Sequence, residues 1–311
     1  MILVVGATGF LGNRVCELLE ARGARFARSS LSLGTDLRDF DQTRRLFEAV
    51  KPEAVINCAG YNGNIHFGMT HTADIFHYNM LMIVNLLEAC RRNGVKRLVN
   101  PIANCTYPAK ADVFREEEYW DGPLHPSVVT YGIVRKASTV AGYAYHNQCG
   151  LDVMSVIMSN MYGPGDHFDE ERSHALGGLV MKAARARRER EPRMVVWGTG
   201  KPVREWLYID DGAEAMIRAL DASAQVEPFN IGHGEGVSIG DLARKIADRV
   251  GYQGELFFDT ARPDGAPYKT MDGSKGAEIL GWQPEVRIAE GLDRTISWYM
   301  RNIGEGGHGD T

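Results

Sequence analysis

The chain has 311 residues, 44% apolar and 24% charged, with 35 Lys and Arg against 40 Asp and Glu. That is enough to fill a core in one large or two unequal domains, and a net charge of −5 excludes the broad positive field that wraps nucleic acid. No apolar run approaches the roughly 20 residues of a bilayer span, and five irregularly spaced cysteines without a CxxC exclude a disulfide framework and a cysteine-based zinc site. Met1 leads into an apolar strand rather than a basic leader, so a cytoplasmic protein is expected.

Ile2 to Val5 is a short apolar run, Gly6, Gly9 and Gly12 follow it, and Leu11, Val15, Leu18 and Leu19 then recur at helical spacing until Gly23. A strand, a glycine turn and a helix are predicted. The alternation continues with a strand near 25–28, a helix over 41–50, a strand over 54–58, a long helix over 73–93 and a strand over 96–100. A helix over 131–149 and a strand over 152–159 extend it. Strands that alternate with helices bury both faces of a sheet, so the predicted fold class is α/β, a doubly wound parallel sheet of the Rossmann type with a smaller C-terminal substrate lobe. After Tyr162-Gly163-Pro164 the texture changes to a basic helix near 174–189, scattered strands and a helix near 238–250. The expected division is a dinucleotide-binding domain over 1–164, rejoined by about 202–236, a substrate lobe over 165–201 and 237–303, and a flexible glycine-rich tail over 304–311.

Glycines three apart between a strand and a helix let the backbone turn tightly and bring the N–H groups of Phe10, Leu11 and the helix start against a pyrophosphate. An acid closing the second strand would accept from a ribose 2′-hydroxyl, but this chain offers Arg28-Ser29-Ser30 there, and Arg28 is suited to a 2′-phosphate. NADP(H) is therefore the expected cofactor and NAD(H) the alternative. Asp36 and Leu37 would flank the adenine.

The glycine turn, Asn57-Cys58-Ala59-Gly60, Asn79 with Asn85, Tyr107-Pro108, Tyr131 with a basic residue four later, and the segment 160–168 together resemble the extended short-chain dehydrogenase/reductase superfamily, the NAD-dependent epimerases and dehydratases. Within it, Ser173-His174, the segments 195–211 and 262–269, and Asn230-Ile231-Gly232 are similar to the GDP-L-fucose synthase family, the GDP-4-keto-6-deoxymannose 3,5-epimerase/reductases. The likeness spans residues 1 to about 300. It implies the same fold, adds Cys58, Ala59, Gly60 and Asn79 to the cofactor's surroundings, and implies a GDP-linked keto-sugar as substrate and a homodimer formed through helices near 73–93 and 131–149.

The reductive site of that family is a Ser, a Tyr and a Lys: the Tyr protonates the keto oxygen, the Lys lowers its pKa and holds the nicotinamide ribose, and the Ser hydrogen-bonds the same oxygen. Here Ala103 stands where the Ser belongs and Arg135 where the Lys belongs, with Tyr131 retained. Lys136 is adjacent, but one helical position turns it by about 100°, so it should point away. Bringing a phenol from pKa ~10 to near 7 takes about 4 kcal/mol of differential stabilisation, a demanding geometric task for Arg135. Pro101 removes a ladder donor and is expected to reshape the loop carrying Ala103, Asn104 and Cys105. Asn104 is a candidate replacement donor.

The resemblance assigns the epimerase base to Cys105 and its acid to His174, both reasonable proton carriers near neutral pH. Cys105 could equally be a buried small hydrophobe, and His174 a helix cap. By resemblance Lys182 and Arg204 reach the substrate diphosphate, Asn160 lies by the sugar, and Asp264 and Lys269 lie near the nucleotide or form an ordinary surface pair. Trp197 either stacks on a nucleobase or fills the lobe interface. The expected activity is epimerisation of a GDP-linked 4-keto-(6-deoxy) sugar, with reduction by NADPH in question. The alternatives are a full epimerase/reductase and an inactive nucleotide-binding regulator or scaffold. No metal, nucleic-acid or membrane partner is expected.

Overall fold

The computed structural model describes residues 1–304 apart from 110–112, 170–171 and 263. From residue 305 the expected flexible tail lies outside the described residues. The first half alternates as read from sequence: β1 (Ile2–Val5), α1 (Phe10–Ala21), β2 (Phe26–Ser29), α2 (Phe40–Val50), β3 (Ala54–Asn57), α3 (Ile65–Thr70), α4 (Thr72–Arg92), β4 (Arg97–Ala103), α5 (Val129–Cys149) and β5 (Asp152–Met158). The second half comprises β6 (Asn160–Tyr162), α6 (Ala175–Arg188), β7 (Arg193–Trp197), β8 (Val203–Tyr208), α7 (Ile209–Arg218), β9 (Phe229–Ile231), β10 (Gly236–Ser238), α8 (Ile239–Val250), β11 (Glu255–Asp259), β12 (Tyr268–Lys269), α9 (Ser274–Leu280) and α10 (Ile288–Tyr299).

Six strands form one parallel sheet in the order β2-β1-β3-β4-β5-β9. The order reverses between β1 and β3, and a doubly wound sheet binds its ligand in the crevice beyond the strand ends at that point. Val4, Ile56 and Val99 face one buried cluster, while Leu3, Val5, Val55 and Leu98 belong to another. That alternation is what a sheet covered on both faces requires. A smaller sheet links β10, β8 and β12, with β6 joined to β8, and β7 pairs with β11 in parallel.

Pro101 does not deform its strand. β4 continues in register with β5 through Pro101 opposite Val156 to Ala103 opposite Met158. Its pairing with β3 ends at Val99, so the prolyl nitrogen lies beyond the last bond on that side and its missing N–H leaves no acceptor unpaired in the ladder. The strand therefore delivers Ala103 directly to the 3-10 turn Asn104–Thr106.

Candidate active site

β1 ends in Gly6 at φ 70, where a Cβ would stand 2.5 Å from Ala59 N and from the Cys58 carbonyl carbon. At Gly12 a Cβ would stand 2.1 Å from Gly6 O, so the first turn of α1 rests on main chain. Gly9 is less crowded, its nearest neighbour being Gly6 O at 3.4 Å. It caps α1 without any side-chain hydrogen bond to the first N–H groups. Uncapped donors at the positive end of a helix dipole, beside a residue without a side chain, fit a pyrophosphate. Leu11 is buried and Phe10 packs against the core, so these two offer the crevice their main chain only.

The side chains expected at the adenosine end are otherwise engaged. Arg28 donates to Glu20 on α1 at 3.0 Å and lies over the Phe26 ring. Asp36 is gripped by Arg38 at 2.6 Å, and hydrogen bonding to that guanidinium holds its carboxyl below the usual range. Leu37 belongs to the buried cluster with Leu3, Val5 and Phe47. Any contact of Asp36 and Leu37 with an adenine is thus left to their main chain.

Beyond β3, Cys58 N donates to Val5 O at 2.8 Å and Ala59 N to Asn57 Oδ1 at 3.0 Å. Burial pushes the Cys58 thiol far up. Asn79, on α4, accepts from Tyr61 N at 3.0 Å and donates to Tyr61 O at 2.8 Å and Ile75 O at 2.7 Å. Both of its N–H groups are spent on main chain, so it fastens the loop that walls the crevice. Gly60 completes that wall, since a Cβ there would meet Arg135 Nη2 at 2.8 Å.

At the reacting end, α5 places Tyr131 and Arg135 one turn apart on one face. Arg135, only 7% exposed, donates to the Tyr131 hydroxyl oxygen from Nε at 3.0 Å and from Nη2 at 2.8 Å. A phenol oxygen that accepts twice keeps its own proton free to donate. Lys136 turns away as its helical position requires, donating to Tyr119 O at 2.5 Å and lying over the rings of Tyr119 and Trp120. Beneath the pair runs a buried polar chain that no local sequence pattern announces: Asn57 Nδ2 donates to Asn100 Oδ1 at 2.9 Å, Asn100 Nδ2 to Ser138 Oγ at 3.3 Å, and Ser138 Oγ to Arg135 O at 2.7 Å. It ties β3, β4 and α5 together under the phenol.

Gly132 lets the Asn104–Thr106 turn lie against α5, because a Cβ there would stand 2.9 Å from Cys105 O. Asn104 is buried, and among the described residues its Nδ2 has no acceptor. Cys105 is 9% exposed; burial pushes its thiol up, while the charges of Lys269 and Arg135 pull it back. Lys269, on β12, stands beside Arg204 in register, and burial pushes its amine down. Arg204 is pushed down to about 10 by burial, with Asp264 opposing. His125, which the sequence reading passed over, is held below its ordinary value by burial and by Lys269 and Arg204. The thiol therefore lies near a group of cationic side chains whose charge suits an anionic substrate.

His174 caps α6 without a side-chain bond. Its residue is exposed, yet surrounding protein and the charge of His167 hold its imidazole below the ordinary value. The two are compatible in a recess, where water reaches a ring that protein also crowds. Among the described residues no hydrogen bond joins His174 to Cys105 or Tyr131.

Asn160 Nδ2 donates to Glu205 O at 2.9 Å. Lys182 donates to Val195 O at 3.3 Å and, with Arg262, lies over the half-exposed Trp197 ring. Asp264 accepts from Thr199 N at 2.7 Å and Thr199 Oγ1 at 2.8 Å, so its carboxylate braces the turn after β7. Glu205, fully buried, accepts from His233 N at 2.5 Å and Met271 N at 2.8 Å, fixing the chain just beyond Lys269; burial pushes its carboxyl up to about 7.

Residues 2–232 match the NAD dependent epimerase/dehydratase family. The chain belongs to that family. The GDP-L-fucose synthase 1 of Arabidopsis thaliana is 35% identical, with 97% of this chain and 94% of that protein aligned. The GDP-L-fucose synthase of Escherichia coli K12 is 32% identical over 97% of both. Among solved structures, the GDP-L-fucose synthetase of Naegleria fowleri superposes with a TM-score of 0.88 at 28% identity, covering 98% of this chain and 95% of that one. Membership makes this an NAD(P)-dependent enzyme of the epimerase and reductase kind. Among the described residues no cluster of His, Cys, Asp or Glu could hold a metal ion, and no helix is long and apolar enough to cross a membrane.

Proposed function

We propose that this enzyme epimerises a GDP-linked 4-keto-6-deoxy sugar by proton transfer through Cys105 and His174, with NADP(H) in the crevice. The observation that carries the reading is the double donation from Arg135 to the Tyr131 oxygen, set beside the turn that bears Cys105. A ketone oxygen that accepts from Tyr131 is held by a phenol already polarised by a guanidinium, and an enolate forming there would be stabilised by donors fixed in advance. Asn104 Nδ2, buried without an acceptor, is the donor we assign to the place of the missing serine. At rest Cys105 carries its proton and His174 is neutral, so in this reading the roles expected from the resemblance are exchanged: the imidazole accepts a proton and the thiol gives one. Lys269, Arg204 and His125 would hold the diphosphate, and Trp197 the base. The glycine turn and the uncapped α1 would hold the dinucleotide, which supplies a hydride when bound.

The full epimerase/reductase is the second reading. It is supported by the near full-length likeness to GDP-L-fucose synthases and by the retained contact between Tyr131 and a cation. One experiment separates the two: the protein is incubated with a GDP-4-keto-6-deoxy sugar in deuterated water while NADPH absorbance is followed. Deuterium uptake without NADPH loss establishes the epimerase, both together the full enzyme, and neither overturns both readings. Exchange should fall on the acid side as His174 takes a proton, with a midpoint below the ordinary imidazole value.

We also propose a homodimer. Phe76 and Val84 on α4, and Ile133 and Val140 on α5, are exposed apolar side chains on two helices that pack side by side. Light scattering that gives a monomer mass at micromolar concentration would remove this part of the reading.

A further inference from the structure

We propose that Asn57, Asn100 and Ser138 are positioning residues, a relay of two amides and a hydroxyl that fixes the Arg135 guanidinium against the Tyr131 oxygen. Their role rests on the reading of Tyr131 and Arg135 as the pair that holds the ketone. β3 and β4 pair as far as Ile56 opposite Val99. Asn57 and Asn100 are the next two residues, and their side chains make the bond that the ladder no longer makes, Asn57 Nδ2 donating to Asn100 Oδ1 at 2.9 Å. The direction of the relay has one solution. Ala59 N donates to Asn57 Oδ1 at 3.0 Å, so Asn57 offers its Nδ2 onward. Asn100 accepts with Oδ1 and offers Nδ2 to Ser138 Oγ at 3.3 Å, which leaves the serine proton for Arg135 O at 2.7 Å. A main-chain N–H of the loop after β3 and a main-chain carbonyl of α5 are thus joined through three buried side chains.

The guanidinium needs such a tie. Tyr131, Arg135 and Ser138 follow one another four and three residues apart on one face of α5. Arg135 reaches the phenol through Nε at 3.0 Å and Nη2 at 2.8 Å. Two donors of a rigid planar fork converge on one oxygen only while the helix keeps its height and rotation over β4, within about 0.5 Å. An ammonium on a flexible stem is more forgiving. On its other side the guanidinium is bounded by Gly60, where a Cβ would stand 2.8 Å from Nη2. The loop that carries Gly60 is held by Asn57 Oδ1 through Ala59 N. One amide therefore fixes the wall with its oxygen and, through Asn100 and Ser138, the helix with its nitrogen. Alone, the bond from Ser138 to the carbonyl three residues back would be an ordinary local contact within a helix. The two asparagines make it a tie from α5 to the sheet.

The test follows deuterium exchange into a GDP-4-keto-6-deoxy sugar by the full chain. Ser138→Ala removes the link nearest Arg135, and the maximal exchange rate should fall about tenfold while KM and the calorimetric Kd for NADP+ stay within about twofold. Asn100→Leu breaks the tie from β4 and should show the same split, and the two substitutions together should cost no more than either alone, as links of one chain do. Arg135→Met should itself lower the rate at least as far. In that background no guanidinium is left to position, so adding Ser138→Ala should change the rate by less than about twofold. Losses that multiply in the Asn100 and Ser138 double variant, or an equal loss from Ser138→Ala with and without Arg135, would leave the three residues a structural tie and overturn the proposal alone. Full exchange by Arg135→Met, or none by the unaltered protein, would overturn the reading of the pair and the relay with it.

Discussion

At the phosphate turn an added Cβ would meet main-chain atoms 2.1 Å away at Gly12 and 2.5 Å away at Gly6, whereas at the other end of the cleft Ala103 and Arg135 sit in an undistorted strand and helix. The first region is shaped by backbone pressed on backbone, and only glycine satisfies it. The second is shaped by side chains, where one polar group can replace another while β4 and α5 keep their course. Chemistry in this molecule can therefore change at the reacting end without disturbing the crevice that would hold the dinucleotide.

The strongest way to break that contrast is to attack the crevice. Gly12→Val drives side-chain atoms into the main chain of Gly6 and Ala7 and should cost at least about 3 kcal/mol, read as a loss of cooperative thermal unfolding. Gly9→Ala is the control. Its Cβ has 3.4 Å to Gly6 O, so the melting midpoint should stay within about 2 °C while the dissociation constant for NADP+ rises at least tenfold. A Gly9→Ala protein that binds NADP+ as well as the unaltered one would show that no pyrophosphate approaches this turn.

At the reacting end the largest effect should come from the sulfur. Cys105→Ser replaces a thiol with a hydroxyl whose proton is far harder to remove, and deuterium exchange should fall a hundredfold or more while NADP+ binding is unchanged. Undiminished exchange would take Cys105 out of the mechanism and leave it as a buried small side chain, which its 9% exposure also accommodates.

What the sequence made legible follows the same division. Gly6 and Gly12 could be read because a strand, three spaced glycines and an apolar helix admit few geometries, and the elements from β1 to β5 appear within a few residues of their expected bounds. That Pro101 costs the ladder nothing could not be read, because the end of the β3 pairing at Val99 is a fact of pairing, invisible along one strand. Arg28 is expected at a 2′-phosphate from its type and position, whereas its pairing with Glu20, eight residues earlier, follows from α1 packing beside β2 and is not visible along either element. The polar chain from Asn57 through Asn100 and Ser138 links three separate elements, so nothing in any one of them predicts it. Lys136 was legible, because helix periodicity alone fixes which of two adjacent cations faces the phenol.

The contrast can be sharpened by introducing the residues that the resemblance implies at these two positions. Ala103→Ser adds a hydroxyl at the end of β4, and Arg135→Lys exchanges a guanidinium that crowds Gly60 for a slimmer ammonium. One regained hydrogen bond in the transition state is worth about 1–3 kcal/mol, so the double variant should consume NADPH about tenfold faster in the presence of the keto-sugar. A rate no higher than that of the unaltered protein would mean that the surroundings of Tyr131 have diverged beyond these two positions.

The smallest expected effect concerns Lys136, the cation that proximity alone would nominate. The residue is 8% exposed, its ammonium bonded to Tyr119 O and lying over two rings, and burial pushes its pKa down. Lys136→Met keeps the alkyl length, removes the hydrogen bond and leaves Tyr119 O without that donor, so stability should drop by about 1–2 kcal/mol in urea. Exchange and NADPH consumption should stay within twofold, because α5 points this residue away from the phenol and the aromatic group of Tyr107, Phe114 and Tyr119 can absorb a thioether without moving the helix. If activity instead fell tenfold at unchanged stability, Lys136 would have to swing toward Tyr131 during the reaction, and Arg135 would lose its claim as the cation that serves it.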